Sequence, residues 1–351
     1  MRSENFYNHN TLFWVLFLMA YSLSSMAQYT TREVSKAKQA YTDSIKQVDY
    51  HYIFPILGQK TYQAGFDIPY PVGIMGNMMF MDQSLVFDEM QLGLKTDDVD
   101  LPLTDVNDFI NFGKNTNQSF AVNVRPDIWV LPFLNVYGIF GYGRSKTNVL
   151  LVEPVELQTS IEQELRTAGF GVMGAFGIGK FFLSLDGNWT WSKPELLDKP
   201  VRVSVFGVRL GRSFAFHNKP DRNIAIWVGG MRVRMSSLTQ GEISLADALP
   251  PDVWARKDEI VSEYWDWYNE LSPPKQILVD NTPLPELVDR LAQADGSAIV
   301  RYGMQKQVKE AWNGIIGIQY QMNKRWMIRS EGGIIGDRKS LLLSLNYRFL
   351  W

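Results

Sequence analysis

Ser340-Leu-Leu-Leu-Ser-Leu-Asn-Tyr-Arg-Phe-Leu-Trp351 closes the sequence, and its alternation decides how the chain is built. Side chains along a strand point to opposite faces in turn. Leu341, Leu343, Leu345, Tyr347, Phe349 and Trp351 therefore share one face, and Ser344, Asn346 and Arg348 share the other. One face suits oil and the other suits water, which predicts a strand with lipid on one side and a polar lumen on the other.

The opposite end of the chain agrees. Arg2 precedes an apolar core of Leu12, Phe13, Trp14, Val15, Leu16, Phe17, Leu18 and Met19, with small residues at Ser25 and Ala27. This is the layout of a secretory signal peptide over residues 1–27, with the mature chain expected to start at Gln28. The apolar core is about ten residues long, short of the ~20 that a spanning helix needs. Beyond it there is no run of about 18 apolar residues, so membrane residence has to come from strands. The chain has 0 cysteines, so thiolate metal sites, disulfides and a lipid-modified cysteine do not arise. A net charge of -2 gives no basis for nucleic-acid binding.

Between these ends the text changes twice. Residues 28–60 are polar, with Val34, Ala37, Ala40, Tyr41, Ile45 and Val48 near one helical face, and are expected to form a periplasmic or lumenal helical segment. Residues 61–351 alternate in the style of the C-terminal strand. Strands are expected near 72–81 and 84–94 with a turn at Asp82-Gln83, then over 120–130, 135–143, 167–178, 181–191, 201–216, 224–235, 312–322, 325–335 and 340–351. Pro126 demands an edge, a bulge or a locally unpaired stretch. Val201, Val203 and Val205 are out of phase with Phe206, Val208 and Leu210, and a bulge near Gly207 would reconcile them. The fold class is thus all-β with a helical insert: an antiparallel transmembrane β-barrel of about twelve strands, with ten or fourteen as alternatives, since such barrels have even numbers. A secreted β-sandwich is the soluble alternative.

Three long connections fall on the extracellular side: 95–117, 145–166 and an insert over 238–310. Within the insert, Asp252 to Leu271 gathers Val253, Trp254, Ile260, Val261, Tyr264, Trp265, Trp267, Tyr268 and Leu271 into about half of a helix circumference. Further helices are expected over 285–294 and from Ser297 to about Ala311. The aromatic stripe either packs against its neighbours and the barrel rim, or offers Trp254, Tyr264, Trp265, Trp267 and Tyr268 as a lid or a partner-binding face. Its acidic opposite face, with Glu259, Glu263, Asp266 and Glu270, argues against lying in a membrane surface.

With lipid-facing phase fixed by the apolar residues, the lumen is expected to receive Arg125, Asp127, Asp186, Arg202, Arg232, Arg234, Arg329, Glu331 and Arg348. The arginines outnumber the acids. This composition fits either a weakly anion-preferring pore or ion-pair ladders that fill a closed lumen. No catalytic, cofactor or metal site is expected: His51 and His217, the two histidines of the mature chain, fall where outer-leaflet chemistry would not use them. Glycines 169, 171 and 174 sit in a strand pattern, where they mean close packing rather than a nucleotide loop.

At Trp129-Val-Leu-Pro-Phe-Leu-Asn-Val-Tyr137-Gly-Ile-Phe-Gly-Tyr142-Gly and at Asn346-Tyr-Arg-Phe349 the chain resembles outer-membrane β-barrel proteins of Gram-negative bacteria, and Ala27-Gln28 looks like signal cleavage in Bacteroidota. The motifs are generic and carry no catalytic residues to transfer. Trp351 departs from the usual final phenylalanine, although Phe349 keeps an aromatic in phase. The resemblance implies residence in the outer membrane, contact with its lipid, and the barrel assembly machinery as a partner in biogenesis. Three functions are expectations at this point. They are porin-like passive or gated passage of a small solute, a non-conducting surface protein whose insert binds a protein partner, and an outer-membrane enzyme, with no enzyme preferred over the third.

Overall fold

The computed structural model describes residues 36–178, 181–195, 200–216, 219–236, 238–249 and 251–349. The expected signal peptide, the start at Gln28, the turn at Gly179-Lys180, His217 and Trp351 lie outside the described residues. The strands are β1 (Val72–Lys95), β2 (Asp100–Asp105), β3 (Asn111–Phe112), β4 (Asn115–Leu131), β5 (Leu134–Glu153), β6 (Leu157–Ile178), β7 (Phe181–Pro194), β8 (Val201–Phe216), β9 (Lys219–Ser236), β10 (Leu238–Ser244), β11 (Ile299–Val308), β12 (Trp312–Gln321), β13 (Trp326–Ile335) and β14 (Lys339–Phe349). The helices are α1 (Lys36–Lys46), α2 (Gly58–Gln63), α3 (Leu245–Ala248), α4 (Pro251–Ala255), α5 (Lys257–Glu270), α6 (Pro273–Asp280) and α7 (Leu284–Ala292).

Antiparallel pairing runs β1-β4-β5-β6-β7-β8-β9-β12-β13-β14 and returns to β1. Val72 pairs with Phe349 on one edge and with Ile128 on the other, so the ring closes and no edge is left exposed. Ten strands close it, one of the alternatives to twelve; β2, β3, β10 and β11 lie outside the ring. The largest difference from expectation is at Asp82-Gln83, where there is no turn. β1 runs unbroken for 24 residues, about 80 Å, far more than a bilayer requires. Its first half pairs with β14 and β4, and its second half pairs with β11 and β2. Polar residues at 82–84 mark where the strand leaves oil for water.

Exposure is inverted relative to a soluble protein. Ile74, Met78, Phe80, Phe120, Val124, Phe140, Phe170, Leu210, Val228, Ile316, Ile328 and Leu343 are exposed, Val228 to 60%, and form a continuous outward band. Asp127, Asn135, Ser184, Arg209, Asn313, Glu331, Ser344, Asn346 and Arg348 are buried inside the ring. Polar ladders continue up the lumen: Asn77 Nδ2 donates to Asn123 Oδ1 at 2.7 Å, and Asn117 Nδ2 to Ser145 Oγ at 2.7 Å. Pro126 stands opposite Ile74 of β1, while its pairing with β5 lapses between Val124 and Asp127, a locally unpaired stretch.

Short connections after β4, β6, β8 and β12 share one end of the ring with both ends of the described chain. At Asn323 the turn is built by its own side chain, whose Oδ1 accepts from the backbone N–H of Arg325 and Trp326, each at 2.8 Å. The N-terminal helices pack on this end: Ile56 N–H donates to Val130 O at 2.9 Å, and Lys324 and Tyr41 both reach Asp67. Burial opposes the Lys324 ammonium, and the Asp67 carboxylate more than offsets it, holding that amine above its ordinary range.

At the other end a cap is built on the outer half of β1. Leu92 and Leu94 of β1, Val106, Val155 beyond β5, Val300 of β11, and Leu245, Val253, Ile260, Tyr264, Leu284 and Leu291 of the helical segment form one apolar core. The helix expected from Ser297 to Ala311 is instead β11, paired with β1 and β10. Val300 and Tyr302 alternate into the core, so this stretch has a strand period that its mixed polarity conceals. The connection expected over 145–166 is largely strand, the tall β5–β6 hairpin, paired from Leu134–Gly174 to Leu151–Leu157.

Candidate functional site

The lumen is crossed by a charged network. Arg209 projects inward from β8, with Nε 2.6 Å from Glu331 Oε2 and Nη2 2.8 Å from Oε1, a bidentate pair with β13. Its Nη1 donates to Asp186 of β7. Glu331 also accepts from Trp227 Nε1 of β9 at 2.8 Å and from Arg329 Nη2 at 2.6 Å. Arg209 and Glu331 are 8% and 5% exposed, so this is a buried tie between strands that are not neighbours in the ring. The backbone makes room for it with glycine. A Cβ at Gly207 would meet the Asp186 carboxylate and Arg209, and one at Gly317 would overlap the Trp227 ring. Gly317→Val is expected to evict Trp227 from Glu331 and destabilise the barrel by about 1–3 kcal/mol, the usual range for overpacking. A lowered urea midpoint of the refolded protein checks this.

A second cluster lies nearer the short-turn end. Asp127 accepts from Asn135 Nδ2 at 2.7 Å and from both terminal nitrogens of Arg348, the Nη1 contact being 3.0 Å. Arg348 Nε donates to Tyr70 O at 3.2 Å. The Arg125 guanidinium lies 3.4 Å from the Tyr137 ring centre, a cation–π stack inside the wall. Between the two clusters is a cavity of about 290 Å³, lined among others by Arg125, Trp129, Arg329 and Arg348.

Arg125, Asp127, Asp186, Arg329, Glu331 and Arg348 thus come together inside the ring. Arg202, Arg232 and Arg234 do not. All three are exposed and take the outward phase, Arg232 opposite Phe206 and Arg234 opposite Ser204. For Arg202 the reason is that no bulge occurs near Gly207, since β8 pairs with β7 without a break from Arg212 to Val201; Arg232 and Arg234 share the phase of the exposed Ile226 and Val228 on β9. Val201, Val203 and Val205 therefore share the inward phase with Gly207, Arg209 and Gly211, and Arg202 shares the outward phase with Phe206. Arg209, which the sequence reading missed, was signalled by the small-charged-small alternation Gly207-x-Arg209-x-Gly211.

No protein-family model and no curated protein matches the sequence. Among solved structures, the β domain of the Bordetella autotransporter BrkA matches at 8% identity, covering 80% of this chain and 100% of that one, with a TM-score of 0.36. The transport unit of the autotransporter AIDA-I from Escherichia coli matches at 10% identity, with 90% and 100% covered and a TM-score of 0.34. An outer-membrane channel from Pseudomonas putida F1 matches at 9% identity, with 81% and 97% covered and a TM-score of 0.28. The deciding observation is the closed ring with an apolar outside and a buried polar inside. The fold is that of a bacterial outer-membrane β-barrel.

In this outer-membrane barrel the aromatic stripe of the insert belongs to the cap. Tyr264 is fully buried, and its ring lies 5.2 Å from Trp265 and 5.5 Å from Trp267. Trp254, Trp265, Trp267 and Tyr268 are half-buried. Tyr268 donates its hydroxyl to Asp280 Oδ1 at 2.8 Å, which ties α5 to α6. The stripe packs on its neighbours and on the outer sheet, while Ile277 and Leu278 of α6 are exposed, at 63% and 56%.

Proposed function

We propose that this protein is a non-conducting outer-membrane barrel that holds a folded cap at the cell surface, where the cap binds a protein partner. The buried Arg209–Glu331 tie across the lumen carries this reading. It joins β8 to β13 over the intervening β9 and β12, and a solute on that path would have to displace a bidentate ion pair whose partners are further held by Asp186, Arg329 and Trp227. The exposed Ile277 and Leu278 are the apolar part of the cap offered to a partner. The proposal includes no catalytic role. It also has the C-terminal strand β14 read by the barrel assembly machinery.

Gated passage of a small solute is the second reading, and the cavity of about 290 Å³ with its arginine lining favours it. Planar-bilayer conductance of the refolded full chain separates the two. Wild type is expected to give no stable current in protein shown to be folded. A steady wild-type current would overturn the closed-barrel reading, and its reversal potential in a salt gradient would then report the anion preference that Arg125, Arg329 and Arg348 imply.

A further inference from the structure

The three arginines found outside the ring are part of a larger arrangement. On five consecutive strands, the outward position just beyond the last apolar or aromatic residue is basic, or becomes basic one outward position later. Tyr142 is followed by Arg144 on β5, Trp191 by Lys193 on β7, and Val228, past Gly230, by Arg232 and Arg234 on β9. Moving outward along β6, Phe170 gives way past Ala168 to Arg166, and along β8 Phe206 gives way past Ser204 to Arg202. Cross-strand register keeps them adjacent: Tyr142 stands opposite Arg166, and Arg166 opposite Lys193. All six basic residues are exposed.

Arg144 is held by Glu164 at 3.2 Å. Among the described residues, no carboxylate lies within ion-pair distance of the other five. Elsewhere the girdle is not continued: the matching positions on β1, β4 and β13 are Asp82, Gln118 and Ile334, and the isolated Lys339 beyond Leu341 on β14 stands opposite Asp82 and gives its ammonium to the carbonyls of Ile334 and Gly336. Two outward positions along a strand are about 7 Å apart. The charges therefore sit within one or two steps of the lipid-facing band, at the depth of headgroups and below the cap.

We propose that this one-sided girdle binds the phosphate groups of lipid A, the phosphorylated glycolipid of the outer leaflet. Arginine is the side chain best matched to phosphate, through its fork of donors. Charge complementarity gives the chemistry, and continuity with the lipid-contacting band selects a membrane lipid over a soluble polyanion. Arg202, Arg232 and Arg234 are its densest part, three guanidinium groups on the neighbouring strands β8 and β9 with no carboxylate within ion-pair distance among the described residues.

The test compares the full chain with the triple variant Arg202→Gln, Arg232→Gln, Arg234→Gln, both refolded in detergent and checked for barrel formation by heat-modifiable gel mobility. Each is incubated with diphosphoryl lipid A or with the same lipid stripped of phosphate, and bound lipid is counted by native mass spectrometry. Each arginine contributes on the order of fivefold to retention, so the triple variant should retain diphosphoryl lipid A on the order of a hundredfold less tightly. The dephosphorylated lipid should bind wild type and variant alike. Equal retention by wild type and variant, or equal binding of the two lipids by wild type, would overturn the proposal. So would tighter capture of soluble polyphosphate than of lipid A, which would assign the girdle to an aqueous polyanion. If the triple variant does not fold, the wild-type comparison decides alone: binding of diphosphoryl lipid A should fall with added sodium chloride, and binding of the stripped lipid should not.

Discussion

Glu331→Ala should be among the most damaging single substitutions in the barrel wall, lowering stability by about 3–5 kcal/mol, because it leaves Arg209 and Arg329 buried without their shared carboxylate. Trp227 Nε1 loses its acceptor in the same step. Asp186 remains to Arg209 alone, and Arg329 keeps only its stacking on the Trp227 ring, 4.8 Å away. Urea unfolding of the refolded protein in lipid vesicles measures the loss. A companion variant separates the penalty of an orphaned charge from the value of the pair. Asp186→Leu, Arg209→Met, Arg329→Met and Glu331→Leu together remove every charge of the network, and should recover most of the stability that Glu331→Ala loses. If the quadruple variant is as unstable as the single one, the network holds the wall together by geometry rather than by mutual neutralisation.

Tyr264→Ala should open the cap and leave the ring closed. Tyr264 is fully buried at the centre of the cap core, and truncating an aromatic core residue to alanine destabilises by about 3–5 kcal/mol. That is on the order of a hundredfold or more in the population of an opened cap. Limited proteolysis of the refolded protein should cut within 238–310 at least a hundredfold faster than in wild type. Heat-modifiable mobility of the barrel should be unchanged. Loss of both together would mean that cap and ring form a single cooperative unit.

The parts of the fold legible in the sequence are those where one environment acts on a whole strand. β12, β13 and β14 lie in the membrane along their length, so strict alternation fixes their bounds and phase. The reading failed where a strand passes between environments. At Asp82-Gln83-Ser84 a change of solvent looks like a turn, because polarity signals both. β11 looks like a helix because its partners β1 and β10 are far away or hidden in a polar stretch, and pairing across such distances leaves no local trace. The site was legible in part for the same reason. Asp127, Arg329, Glu331 and Arg348 lie in strands of clean phase, whereas β8 has valines pointing inward near its outer end. Taking those valines as lipid-facing put Arg202 inside.

β1 is the first strand of the ring to be synthesised, and its partners arrive late. Its inner half waits for β14, the last strand, and its outer half waits for β11, which follows the whole helical segment. Assembly of the ring and assembly of the cap therefore finish on one continuous backbone. A register break between Asp88 and Gln91, where Glu89 takes a φ of 53°, separates the two halves, so a one-residue slip of the cap sheet need not be carried into the β1–β14 seam. Ring and cap thus share one strand while keeping separate registers on it, which leaves the cap free to be remodelled without reopening the barrel.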